Sequence, residues 1–237
     1  MAIPIPQIPE TPPSGAYLVN TLRSFDHAEH HSMLVHLTGR KGDSQCDDGQ
    51  ITWLSADRRL SKILAQRTIR AFPMFGIPQR AVCFTENSPA ALEWLIAENR
   101  YEPFGLGFTK DTVFAHRGGP VLEVRGDEWP KTEFLPDELR ARTKRFWPGA
   151  MAKKLGDTPL PWHISKPSEW SFEREWRVPL ADFTFRPPDV QFIVCDTVVT
   201  RDRIARELDQ TDGVMAARVS QIPCYWWDAA NKRLVEA

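Results

Sequence analysis

Between Ser171 and Leu180 the side chains alternate strictly, with Phe172, Trp176, Val178 and Leu180 on one side and Glu173, Glu175 and Arg177 on the other. A two-residue period belongs to a strand with one side on a core, so the chain must build a sheet. Shorter patterns place the rest. Met33 to Thr38 is an apolar run ending at Gly39, and Arg80 to Thr85, Phe104 to Phe108, Pro120 to Val124 and Val190 to Val194 also read as strands. The turn at Arg117-Gly118-Gly119 predicts that the third and fourth of these five pair with each other.

Helical spacing joins Leu18, Leu22 and Phe25, then Leu60, Ile63 and Leu64 after Ser55. Ser88-Pro89 opens a helix with Leu92, Leu95 and Ile96 on its buried stripe. Pro136 to Arg145 and Thr200 to Leu208 are further predicted helices, and Gly213 to Trp227 reads as mostly extended. Gly39 to Gly49 is a polar loop, and residues 1–14 form a proline-rich arm ahead of one domain over 15–237. Strands and helices alternate without a regular βαβ rhythm, which predicts an α+β fold rather than a doubly wound sheet.

The chain has 237 residues, 30 basic and 31 acidic, for a net charge of −1, so it is not a polyanion binder throughout, although a local basic patch stays open. Cys46, Cys83, Cys195 and Cys224 lie far apart without a CxxC pair, which argues against a disulfide scaffold and fits a reducing cytosol. No stretch approaches the ~20 apolar residues of a membrane span, and the N-terminus lacks a signal-peptide pattern. The expectation is a soluble cytoplasmic protein.

Several groups could carry chemistry. His36 and Thr38 share one face of their strand, either as a ligand pair or as core residues bonded to backbone. Glu173, Glu175 and Arg177 form either a solvated strand face or a rigid carboxylate site able to stabilise positive charge developing on a sugar. Cys83 sits in an apolar strand, where a thiol behaves as a small hydrophobe rather than a nucleophile. His27, His30 and His31 have metal-ligand spacing on one turn but no HExxH, and read as an exposed histidine turn. Gly105-Leu-Gly107 lacks the third glycine of a dinucleotide loop, and there is no P-loop. From Lys131 to Lys154, the residues Lys131, Arg140, Arg142, Lys144, Arg145, Lys153 and Lys154 surround Phe146 and Trp147, either a solvated helix or a surface for single-stranded nucleic acid.

Taken in order, His36-Leu37-Thr38, Leu60-Ser-Lys-Ile-Leu64, Val82-Cys-Phe-Thr85 and Glu175-Trp-Arg-Val178 resemble the ADP-ribosyltransferase superfamily. The nearest likeness is to DarT-type toxins and AbiGi-like phage-defence proteins, over roughly Leu34 to Trp227. The resemblance implies a split β-sheet core flanked by helices, with NAD as co-substrate in a cleft. His36 and Thr38 would hold the adenosine ribose, and Phe84 stands where many relatives place a tyrosine against nicotinamide. Glu175 would be the catalytic glutamate, with Glu173 as the fallback, and Arg70 or Arg80 would lie near the pyrophosphate or acceptor. An imidazole and a carboxylate would thus face one hollow. The toxins' acceptor is a nucleobase, which makes DNA the expected acceptor and the basic stretch its track, with a protein side chain as the rival. A fold of this kind without catalysis, acting as a binding partner or as one member of a toxin–antitoxin pair, is the alternative.

Overall fold

A computed structural model describes residues 32–39, 54–74, 77–147 and 171–237. The proline-rich arm, the helix at Leu18 to Phe25, the His27–His31 turn, most of the Gly39 to Gly49 loop, Lys153 and Lys154 lie outside the described residues.

The architecture is α+β. Nine strands join one sheet: β1 (Met33–Leu37), β3 (Phe72–Pro73), β4 (Arg80–Thr85), β5 (Gly105–Thr109), β6 (Gly119–Pro120), β9 (Glu175–Pro179), β11 (Phe192–Cys195), β12 (Cys224–Asp228) and β13 (Arg233–Glu236). Their order is β13-β12-β11-β5-β1-β4-β9-β6, with β3 paired to β4 off that path. Every pair is antiparallel except β11 with β12. Two small sheets stand apart, one from β2 (Thr68–Ile69) and β10 (Phe183–Thr184), the other from β7 (Leu122–Arg125) and β8 (Thr143–Phe146).

The large sheet narrows at one seam. β1 pairs with β5 over five residues, but with β4 only through Val35 opposite Thr85. At that seam the His36 ring nitrogen Nδ1 bonds the Cys83 carbonyl oxygen at 2.8 Å, a side chain meeting an acceptor of the neighbouring strand.

Apolar side chains fill both faces unequally. On one face Leu34, Val82, Phe84, Leu106, Phe108, Val178 and Ile193 meet α1 (Ala56–Gln66), α5 (Val198–Asp209) and α6 (Gly213–Gln221). On the other, Met33, Val35, Phe192 and Val194 lie under Leu92 of α2 (Pro89–Ala97). Gly107 lets the Phe192 ring lie flat on the sheet, since a Cβ there would sit 2.1 Å from it. Ser88 caps α2 as the sequence indicates, and Thr109 and Thr197 likewise accept the backbone N–H three residues on, Thr109 opening the short α3 (Lys110–Ala115).

Four local expectations are corrected. Gly213 to Gln221 is helical, because Asp212 caps it and Met215, Ala216 and Val219 make a buried stripe of helical spacing. The predicted helix at 136–145 stops after α4 (Asp137–Arg140), where the Thr143 hydroxyl donates to the Arg140 carbonyl and the chain continues as β8. β5 pairs with β1 and β11 rather than with the segment near Val124, which instead pairs with β8. The alternating segment becomes strand only at Glu175; Ser171 to Glu173 is a 3-10 turn and Arg174 has a left-handed φ of 42°.

Candidate functional site

β9 carries Glu175 and Arg177 of the alternating segment, Glu173 lies in the turn just before it, and none of the three is exposed. Arg177 is 5% exposed and faces Cys83 of β4 across the ladder, as Glu175 faces Thr85. The guanidinium donates through Nε to Glu175 Oε1 at 2.7 Å and through Nη2 to Oε2 at 3.2 Å. Its Nη1 donates to the carbonyls of Ala141 and Thr143, tying β9 to the start of β8. The Lys144 ammonium sits between the two glutamates, 3.2 Å from Glu175 and 3.3 Å from Glu173. Glu173 also accepts from the Tyr101 hydroxyl.

Burial alone would raise the Glu175 carboxyl. The charge and hydrogen bonds of Arg177, followed by the Lys144 ammonium, outweigh it and hold the carboxyl at about 2. Because this folded value lies below the ordinary 4.5, the stabilisation is complete above about pH 4.5 and is lost as pH falls toward 2. Glu175 should contribute about 3 kcal/mol of acid-sensitive stability. Urea midpoints measured from pH 6 to pH 2.5 check this. A steep fall below pH 4.5 that is blunted in Glu175→Gln is the expected result, and a midpoint independent of pH contradicts it.

Glu175 also lines a cleft of about 240 Å³, together with Glu86, Glu123, Lys144, Arg174 and Trp176. Glu86, just past the end of β4, is buried and wholly engaged by donors. Its Oε1 accepts from Lys110 at 2.7 Å and Arg174 at 3.0 Å, and its Oε2 from the Trp176 indole N–H at 2.8 Å. Burial pushes the Glu86 carboxyl up, but those donors bring it below its ordinary value. The cleft therefore presents two ionised carboxylates beside an aromatic ring.

The other expected site residues lie elsewhere. Val35, Thr85 and Glu175 share one face, which places His36, Phe84 and Trp176 on the opposite face. His36 does not line the Glu175 cleft and leaves the opposite face of the sheet, which corrects the expectation that the two face one hollow. Burial lowers the His36 pKa, partly offset by the bond to the Cys83 carbonyl, so the ring is neutral near pH 7. The Thr38 hydroxyl is buried and donates to the carbonyl oxygens of Ala56 and Phe104. Phe84 is 2% exposed, and its ring meets Phe108 and Phe183 edge-on, 5.9 and 5.1 Å between centroids. Arg70 is exposed. Arg80 begins β4, roughly 17 Å along the strand from Thr85, and its Nε donates to the Ala71 carbonyl. Neither arginine lines the cleft.

The expected nucleic-acid track is corrected in part. Lys131 is 77% exposed, and Arg140, Arg142 and Arg145 are half-buried. The Lys144 side chain, however, is 12% exposed and spent on Glu173 and Glu175, while Trp147 is 9% exposed and packs on Gly126. Cys83 behaves as the sequence suggests: burial, and then the Glu175 carboxylate, push its thiol well above the ordinary range.

Sequence reasoning missed Glu86, Lys110, Arg174 and the indole of Trp176. An acid directly after the apolar run of β4 was the available signal. Among the described residues no helix is long and apolar enough to cross a membrane. The chain matches no protein-family model, no curated protein and no solved structure.

Proposed function

We propose that the protein is an NAD-dependent ADP-ribosyltransferase working at the Glu175 cleft, with nucleic acid, DNA first, as acceptor, in a toxin or phage-defence role. The observation that carries this reading is that Glu175, the glutamate singled out by its place in Glu175-Trp-Arg-Val178, lines a cleft and stays ionised there. The narrow seam between β1 and β4 is further support, being compatible with the split sheet that the resemblance implies. In the proposed reaction the Glu175 carboxylate accepts the 2′-hydroxyl of the nicotinamide ribose and stabilises the cationic sugar. The bond from C1′ to the pyridine nitrogen breaks with its electron pair leaving on nicotinamide. An acceptor atom then bonds to C1′ and releases its proton to water.

A second reading, a non-catalytic fold of the same kind that binds a partner such as a cognate toxin or antitoxin, is favoured by one arrangement. His36 and Thr38 lie on the face opposite Glu175 and bond to backbone, and Arg177 grips both oxygens of Glu175. Incubation with NAD labelled in its adenylate part, in the presence of separate DNA, RNA and protein pools, separates the two. Label in DNA is the expected outcome, and label in protein alone moves the acceptor to a side chain. Label in no pool, although NAD binds, supports the second reading.

A further inference from the structure

We propose that the groove between α2 and strands β11, β12 and β13 is a second ligand site, and that it takes a small organic cation, a primary ammonium carried on an aromatic or branched apolar body. The groove has a volume of about 250 Å³ and shares no lining residue with the Glu175 cleft. Both lie on one face of the large sheet, since Val35 and Phe192 stand opposite Gly107 and Val35 stands opposite Thr85. They are nonetheless well separated, because β11 and β9 are four strand spacings apart, roughly 19 Å. This site stands or falls apart from the transferase reading.

The walls of the groove are apolar but for one group. Leu92 of α2, Phe192 and Val194 of β11, Tyr225 of β12 and Leu234 of β13 line it, and among the described lining residues Glu93 alone carries charge. Glu93 is half-buried, and among the described residues no lysine, arginine or histidine pairs with it. The acids of the other cleft are different in this respect: Glu86, Glu173 and Glu175 each hold an ammonium or a guanidinium. A carboxylate set in an apolar wall without a cation gains from one brought by a ligand, because the walls limit screening of the pair by water and salt. Glu93 Oε1 accepts the Leu234 backbone N–H at 2.8 Å, which holds the side chain at the groove, and among the described residues Oε2 accepts no hydrogen bond.

That same bond decides the kind of ligand. β13 is an edge of the sheet, yet the Leu234 N–H, which does not serve the β12 ladder, is already taken by Glu93, so an extended peptide cannot add as a further strand at that point. What remains is a short hollow, smaller than sites for drug-sized ligands, with the Phe192 and Tyr225 rings edge to face at 5.4 Å. An apolar body buries itself against these rings, Leu92 and Val194, while its ammonium reaches Glu93.

NMR titration of the isotope-labelled full chain with phenethylammonium, and with phenethyl alcohol, which keeps the body and lacks the charge, tests the proposal. Wild type should show saturable shifts of the Glu93 and Leu234 amides with the ammonium, and should bind the alcohol about tenfold or more weakly, the scale of one hydrogen bond between charged groups. Glu93→Gln can still accept the Leu234 N–H, so it keeps the local structure, removes only the charge, and should bring the ammonium down to the affinity of the alcohol. Ala90→Trp, at an exposed position of α2 on the rim, should weaken both compounds several-fold and serves if Glu93→Gln does not fold. Absence of saturable shifts at these amides in wild type, equal affinity for the two compounds, or an ammonium affinity unchanged in a folded variant overturns the proposal. None of these results bears on NAD at the Glu175 cleft.

Discussion

Arg177→Met should cost the fold about 3–5 kcal/mol, the usual penalty for removing one partner of a buried ion pair. Methionine fills much of the volume of the arginine stem but donates nothing. Among the described residues Glu175 would keep only the Lys144 ammonium as an ion-pair partner, and the carbonyls of Ala141 and Thr143 would lose the guanidinium between them. That guanidinium also joins β9 to the segment leading into β8, so its loss should loosen the wall of the cleft. Urea unfolding gives the measurement, with the midpoint falling and the slope unchanged if folding stays two-state. Adding Glu175→Gln to this variant should recover part of the loss by removing the stranded charge. A single-variant cost below about 1 kcal/mol would mean that water reaches the pair, and the ionised, fixed Glu175 would lose its physical basis.

If the protein is the ADP-ribosyltransferase proposed above, Glu175→Gln should reduce ADP-ribosyl transfer by about 10²–10³-fold, the scale of losing one preorganised electrostatic group. Glutamine keeps the shape but cannot stabilise a sugar cation, and it leaves the Arg177 charge unbalanced. Rates must therefore be compared at a temperature where both proteins are folded. Cys83→Ser should leave transfer near wild type, because the buried thiol resists ionisation and bonds the Met74 sulfur at 3.7 Å. A cysteine-dependent hydrolase requires the reverse pattern, with Cys83→Ser inactive and Glu175→Gln active.

The sequence was most legible where one physical cause acted alone. Arg80 to Thr85 is a strand with the bounds that its apolar run indicates, and Ser88-Pro89 opens a helix because cap and first turn point the same way. It misled where tertiary context decided. The stretch after Gly213 contains valines that suit strands, yet Asp212 and a buried stripe make it a helix. Within 136–147 the basic residues follow a helical count, but Lys144 stands on a strand and turns inward to two glutamates. Periodicity identified the side of β9 that bears Glu175 but not its burial, since β4, β6 and the residues near Thr143 cover it. The relation of His36 to Glu175 depends on which residues sit opposite each other across two ladders, and a one-residue change of register would have put them on the same face. That register is set by pairing between strands far apart in the chain, which the local pattern of either strand alone does not show.

The most direct test of a ligand cleft centred on Glu175 is calorimetric titration of the whole chain with NAD, comparing wild type and Glu175→Gln. Saturable heat from wild type and an affinity at least about tenfold weaker in the folded variant is the predicted result. No heat from wild type, or equal affinity in the two proteins, would contradict it.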